Sequence, residues 1–212
     1  MGGRPPQRWL VHANNAAVPT PTVISFNHAP RAVLAHAAVA SQPAVIGITG
    51  RVGAGKSTLA AHLSTCVLST DNYLPDYELV PEHERDDPRH ADFATLLANI
   101  ATLRTGNAAD VPLWSFHSHR REGYVRVQPA DVIVIEGIHA LHADLRDALH
   151  VRVFVEAPPA TRWHRWEHLE RTGVRGWGIE KARAFFDAVA EPTFSRWEHE
   201  YRTAAHIIVR ND

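Results

Sequence analysis

Residues 50–58 read Gly50-Arg51-Val52-Gly53-Ala54-Gly55-Lys56-Ser57-Thr58, which satisfies the pattern G-x-x-x-x-G-K-[ST] in full. No other stretch restricts the possible folds so strongly. Glycines let the main chain curl until successive N–H groups point inward at an anion, and the positive end of a following helix adds to the same field. The device needs a strand before it and a helix after it. Both are legible: the β-type run Ala44-Val45-Ile46-Gly47-Ile48-Thr49 enters the loop and the helix-forming run Ser57 to Leu63 leaves it. Gly50 to Thr58 therefore reads as a polyphosphate cradle, with Lys56 reaching the β- and γ-phosphates and the Ser57 hydroxyl on Mg²⁺.

The rest of the chain alternates strand and helix, which predicts an α/β fold: a mainly parallel sheet flanked by helices. Cys66–Ser69 reads as a second strand, Asp131 to Gly137 as a buried central one, Val151–Val155 as another and His206–Val209 as the last. Phe93, Leu96, Leu97, Ile100 and Leu103 form one apolar stripe, so 92–104 is a helix. Val111–Phe116 and Tyr124–Val127, separated by the polar turn His117–Gly123, suggest a hairpin. Pro159 opens a helix to about Arg171; a further helix spans Ile179–Ala190, and Pro192 is expected to break the chain before Thr193–Tyr201. Residues 1–43 are rich in alanine and proline, with no acidic residue before Asp71. They read as a partly ordered N-terminal extension, with a short helix over Ala29–Ala40, and 44–212 as the phosphate-loop domain. A removed targeting segment is the minor alternative for the extension.

The formal net charge of −1 and the lack of a basic block argue against a nucleic-acid partner. No apolar run reaches the roughly 18 residues of a membrane span. With a single cysteine, Cys66, neither an intrachain disulfide nor a cysteine zinc site can form. A cytoplasmic location is the default expectation. His164 and His168 have the i, i+4 spacing of a shared metal site, but no third ligand accompanies them.

Asp71 follows the second strand, at the strand ends where open parallel sheets bind ligands. It is a candidate general base for an attacking hydroxyl, or a Mg²⁺ partner; the alternative is a turn aspartate serving local N–H groups. Glu136 ends the central strand and is a candidate Mg²⁺ ligand. Arg162, Arg165, Arg171 and Arg175 cluster where a mobile lid could neutralise a transferring phosphoryl group, or they form a solvated face paired with Glu167 and Glu170.

Together these motifs resemble the uridine kinase and phosphoribulokinase family from about Ala44 to Tyr201. Ser69-Thr70-Asp71-Asn72-Tyr73 is similar to the family's Ser-x-Asp-x-[Phe/Tyr] stretch, whose aspartate is the catalytic base. Asp86-Asp87-Pro88 is similar to its sugar-contacting Asp-His-Pro element, and Trp114-Ser115-Phe116 with His119 and Arg121 to its acceptor-covering hairpin. Val134 to Leu141 is similar to its Glu-Gly-Ile turn, and the four arginines to its lid. Departures fall in the acceptor region: Trp114 stands for Tyr and Ser115 for Asp.

The resemblance implies a P-loop NTPase fold with a hairpin and helical lid over the acceptor site. It implies phosphoryl transfer from ATP, or GTP, with Mg²⁺ to a small-molecule hydroxyl, a uridine- or cytidine-like nucleoside first. A sugar-phosphate, glycerate-like or pantothenate-like acceptor is the alternative. In this scheme Asp71, Lys56, Arg171 and Arg175 act in catalysis, and Ser57, Glu136 and Asp71 surround the metal. Tyr73, Asp86, Trp114, His119, Arg121, Arg162 and Arg165 meet the acceptor. The family often forms homo-oligomers. A nucleotide-dependent regulatory switch is the rival of another class; the guanine-reading Asn-Lys-x-Asp motif is absent.

Overall fold

The computed structural model describes residues 20–212. In chain order its strands are β1 Thr22–Ser25, β2 Ala44–Thr49, β3 Cys66–Ser69, β4 Ala109–Ser115, β5 Arg120–Val127, β6 Val132–Glu136, β7 Val151–Glu156 and β8 Ile207–Arg210. The helices are α1 Ala29–Ala37, α2 Lys56–Leu63, α3 Phe93–Arg104, α4 Ala143–Arg146, α5 Pro159–Arg171, α6 Ile179–Phe185 and α7 Glu191–Ala204. Six strands form one parallel sheet in the order β1-β8-β7-β2-β6-β3, and β4 pairs with β5 as a separate antiparallel hairpin. This is the P-loop NTPase arrangement, with the strand that feeds the phosphate loop at the sheet centre.

Strand alternation splits the core into two layers. Val45, Leu68, Ile133, Ile135 and Phe154 face α3, α4 and α7, meeting Leu96, Ile100, Leu103, Leu145, Phe194 and Tyr201. Ile46, Ile48, Val134, Val153 and Val209 face α1 and α2, meeting Val33, Ala37, Leu59 and Leu63. Both faces are covered, which is why β2 and β6 are apolar almost without interruption. Asp92 caps α3, its carboxylate accepting from the Thr95 N–H at 3.0 Å and from the Thr95 hydroxyl at 2.8 Å. A smaller apolar cluster, Trp166, Phe185, Phe186 and Val189, holds α5 and α6 together as a lid.

Three sequence expectations shift. Residues 22–37, grouped above with the extension, supply the edge strand β1, paired with β8, and a helix with buried Ala29, Val33 and Ala37. Residues 1–19 of that extension lie outside the described residues. The strand β5 starts at Arg120, not Tyr124, because Gly123 (φ +140°) lies inside the strand opposite Leu113, beside the bulge that shifts register between Leu113 and Trp114. Pro192 does not break the chain. A π-helical turn at Phe186–Ala190 joins α6 to α7 with αR main-chain angles throughout, and the proline sits in the first turn of α7. The chain stays helical through it because the π turn just before has already widened the ladder, with the Glu191 N–H bonded to the Phe186 carbonyl five residues back. No described helix is long and apolar enough to cross a membrane.

Candidate active site

The carboxyl ends of β2, β3, β6 and β7 meet at one edge, and the candidate site residues hang from their loops. Gly53 (φ +76°) and Gly55 (φ +103°) need the freedom of glycine twice over: a Cβ on Gly53 would lie 2.5 Å from the Arg162 carbonyl oxygen, and one on Gly55 would lie 2.3 Å from the Asn211 side-chain nitrogen. From outside the loop, Asn211 Nδ2 donates to the Ala54 carbonyl at 2.8 Å and an Arg165 nitrogen donates to the Gly53 carbonyl at 3.0 Å. Lys56 Nζ donates to the Arg51 carbonyl at 3.2 Å. Burial pulls the Lys56 ammonium below its ordinary pKa, opposed by the charges of Glu136 and Asp71.

The loop opens into a cavity of about 650 Å³ lined by Gly53, Gly55, Lys56, Ser57, Thr58 and, across from them, His164, Arg165 and His168. That lies within the usual range of about 300–1,000 Å³ for small-ligand sites. Glu136, in register with Ile48 on one side and Ser69 on the other, projects into the same space. Burial raises the pKa of its carboxyl, with Lys56 opposing and Asp71 adding to the rise, and the neighbouring Ser69 and Ser57 favour the charged form. Asp71 is likewise raised by burial and held down by Lys56 and Arg175. Two carboxylates beside a hydroxyl make an oxygen-rich set that suits Mg²⁺, which keeps several waters and takes the rest of its ligands from phosphate. Ser57 and Glu136 are the residues that would hold it. Among the described residues no group of three or more His, Cys, Asp or Glu forms a metal cluster, so the His164/His168 pair gains no third ligand.

Asp71 also lines a second, smaller cavity of about 40 Å³, with Tyr77, Asp86, His119, Glu170, Arg175, Trp177 and Phe185. Arg175 lies on both cavities, its guanidinium 4.3 Å from the Phe116 ring centre and 4.8 Å from that of Trp166. Burial lowers its pKa, and the nearby Asp71, Tyr77, Glu170 and Asp86 counteract that. Asp86 is buried with the Tyr77 hydroxyl 3.5 Å away, and burial, reinforced by Asp71, pushes its carboxyl up to about 7. Its main chain is fixed from behind. The buried His139 ring donates from Nε2 to the Asp86 carbonyl at 2.6 Å, which leaves Nδ1 to accept from the Tyr201 hydroxyl at 2.8 Å. His119 adopts φ +58°, the one non-glycine residue with positive φ among those described. Its N–H donates to Ser115 at 2.8 Å and its carbonyl accepts from Tyr77 at 3.0 Å.

Several sequence candidates stand elsewhere. Tyr73 is fully buried in the core, its hydroxyl accepting from Asn99 at 2.9 Å, and its pKa rises to about 12. Trp114 lies behind Tyr77, with ring centres 4.9 Å apart, and donates its indole N–H to Pro75 at 3.3 Å. Arg121 binds Asp76 through its main-chain N–H at 2.7 Å and lines neither cavity. Arg162 is fully buried and grips Glu191 with two bonds of 2.6 and 2.9 Å, so it braces the lid rather than meeting an acceptor. Arg165 belongs to the phosphate-loop cavity. Arg171 turns outward to Glu167 at 3.2 Å and is 59% exposed. Glu170, expected on a solvated face, is buried and accepts from Trp166 Nε1, Trp177 N and Gly178 N at 3.1, 3.1 and 3.0 Å. Tyr77, Trp177 and Phe185 join the site without being among the sequence candidates. Trp177 carries a visible signal, an aromatic residue between two glycines in the lid turn; Tyr77 and Phe185 carry none.

Comparison with known proteins fits this geometry. The model of the phosphoribulokinase/uridine kinase family matches residues 76–211. Uridine-cytidine kinase C of Dictyostelium discoideum is 39% identical over 118 residues, which is 52% of this chain and only 26% of that protein. A uridine kinase of Clostridium botulinum (strain Okra / Type B1) is 28% identical over 182 residues, covering 79% of this chain and 88% of that one. Among solved structures, a protein described as a fructose transport system kinase from Silicibacter sp. TM1040 superposes with a TM-score of 0.64 at 20% identity, over 88% of this chain and 98% of that one. This last likeness speaks for the fold alone.

Proposed function

The chain belongs to the phosphoribulokinase/uridine kinase family of small-molecule kinases, and we propose that it transfers the γ-phosphoryl group of ATP, with Mg²⁺, to a hydroxyl of a small acceptor. One observation carries this reading: Asp71 and Arg175 stand where the phosphate-loop cavity and the smaller cavity share a wall. A nucleotide in the first and an alcohol in the second would meet there.

Gly50 to Thr58 holds the triphosphate and Lys56 offsets its charge. Mg²⁺, when bound beside Ser57 and Glu136, neutralises phosphate oxygens. Asp71 takes the proton of the attacking hydroxyl, and its burial-raised pKa makes it a stronger base than an exposed aspartate. Arg175 steadies the charge that spreads over the transferring group. Asp86 and His119 orient the acceptor.

For the acceptor, the names of the relatives support a pyrimidine nucleoside. The 40 Å³ of the second cavity supports a smaller, polyhydroxylated molecule. The test is ADP release against a panel of uridine, cytidine, pantothenate, glycerate, sugar phosphates and short polyols. Release that depends on both Mg²⁺ and one acceptor class is expected. Release indifferent to every acceptor would point to the nucleotide switch instead.

A further inference from the structure

We propose that Trp177 sets the size of the acceptor: with its indole packed on His119, the site admits a compact neutral polyol and excludes a pyrimidine nucleoside. The inference rests on the kinase reading and narrows its acceptor.

Space is the first ground. The acceptor cavity offers about 40 Å³. A single water needs about 10–15 Å³ of such space, so the site takes about three waters or a fragment of similar bulk. Sites for drug-sized ligands and cofactors run to about 300–1,000 Å³. Aromatic side chains line the cavity, and Trp177 closes it from the lid side against His119 of the hairpin.

The indole is held firmly. It stacks on the His119 ring at 4.5 Å with planes 7° apart and meets Phe185 at 4.6 Å. The Glu170 carboxylate anchors the turn, accepting from the main-chain N–H groups of Trp177 and Gly178 at 3.1 and 3.0 Å. One residue earlier, Gly176 approaches the hairpin so closely that a Cβ there would lie 2.9 Å from the His117 carbonyl oxygen. Lid and hairpin are in direct contact, and the stacked pair closes the cavity between them.

The polar groups select the chemistry. Asp86 is buried with one long contact, the Tyr77 hydroxyl at 3.5 Å, and Asp71 faces the same space. Carboxyl oxygens accept hydrogen bonds, so these two groups suit the hydroxyl donors of an acceptor. An anionic acceptor would face Asp71, Asp86 and Glu170 with Arg175 alone in its favour. A three-carbon polyol, about the bulk of three waters, can place one hydroxyl on Asp71 and another on Asp86 without adding charge.

The experiment is ADP release with glycerol, erythritol, glycerate, uridine and cytidine, for the wild type, Trp177→Ala and Trp177→Phe. The wild type is expected to favour a polyol over uridine in kcat/KM by about a hundredfold or more, which is within what an excluded ring can impose. Trp177→Ala should raise kcat/KM for uridine at least about tenfold, mainly through KM, and lower that for the polyol. KM for ATP should stay within about twofold, because Trp177 does not line the phosphate-loop cavity. Trp177→Phe should fall between. A wild type that works best on uridine or cytidine overturns the proposal, as does an unchanged uridine-to-polyol ratio in both variants. Should Trp177→Ala fail to fold, the wild-type ratio and Trp177→Phe still decide. ADP release that no acceptor raises, by a protein that binds ATP, would contradict the kinase reading itself, a different result from either.

Discussion

At Asp86 a buried carboxyl carries a free-energy penalty that pH can read out. Its pKa of about 7 in the fold stands above the ordinary 3.8. Between those values the folded state keeps a proton that the unfolded chain has released, so stability falls as pH rises through the window. His139 works in the opposite sense. It is held at about 4 against an ordinary 6.5, so the unfolded chain protonates first and stability falls as pH drops through that range. The two slopes oppose each other in the wild type, and the difference from a variant separates them. Asp86→Asn should therefore gain stability over the wild type progressively between about pH 4 and 7, by on the order of a few kcal/mol at the top of the window, since each tenfold change in proton affinity is worth about 1.4 kcal/mol. Thermal melts across pH check this; a difference that stays constant with pH contradicts the assignment. Lys56 offers a second residue-scale test. ATP at about 100 times Kd should stabilise the wild type by about 2.7 kcal/mol, and Lys56→Met should lose most of that gain. An equal thermal shift in both proteins would remove Lys56 from phosphate binding.

Among the elements, the junction of the phosphate loop with α5 and α7 depends on Glu191. Its carboxylate accepts two bonds from the buried Arg162 and one, at 3.1 Å, from Arg51 inside the loop, which also reaches Glu198 at 2.7 Å. Glu191→Ala strands the Arg162 charge in the interior and should cost about 3–5 kcal/mol, read by denaturant unfolding. A loss under about 1 kcal/mol would show that the network is not what braces the lid. Sequence shows some elements fully and others only in part. Helix α5 runs from Pro159 to Arg171 as expected, because proline fits the first turn and Gly173 follows the last. The join of α6 to α7 is not legible, since a π turn has no periodic signature and a proline two residues on reads as a break. Within the 3₁₀ turn Thr70–Tyr73, Asp71 faces the cavities while Tyr73, two residues on, faces the core. Family likeness assigns both to the site, but the direction of the turn separates them. Arg175 and Arg171 divide in the same way: one lies between Phe116 and Trp166, while the other ends its helix in solvent.

On the scale of the molecule, the parallel order of β7, β2, β6 and β3 brings four strand ends to one edge, so residues far apart in sequence share one site. The phosphate loop follows β2, Asp71 follows β3 and Glu136 closes β6, while the lid and the hairpin β4–β5 meet over them. This layout is legible from strand-helix alternation and the loop motif. The acceptor cavity is not, because it is built from Tyr77, Trp177 and Phe185, which come together only in the folded chain. The central claim is that Asp71 joins a nucleotide cavity to an acceptor cavity and takes the acceptor's proton. The most direct test compares acceptor-stimulated ADP release by the wild type and Asp71→Asn, with ATP binding titrated in both. Loss of turnover by about 10²- to 10⁴-fold with ATP affinity kept within a few-fold is predicted. Undiminished acceptor-dependent turnover in Asp71→Asn would contradict it.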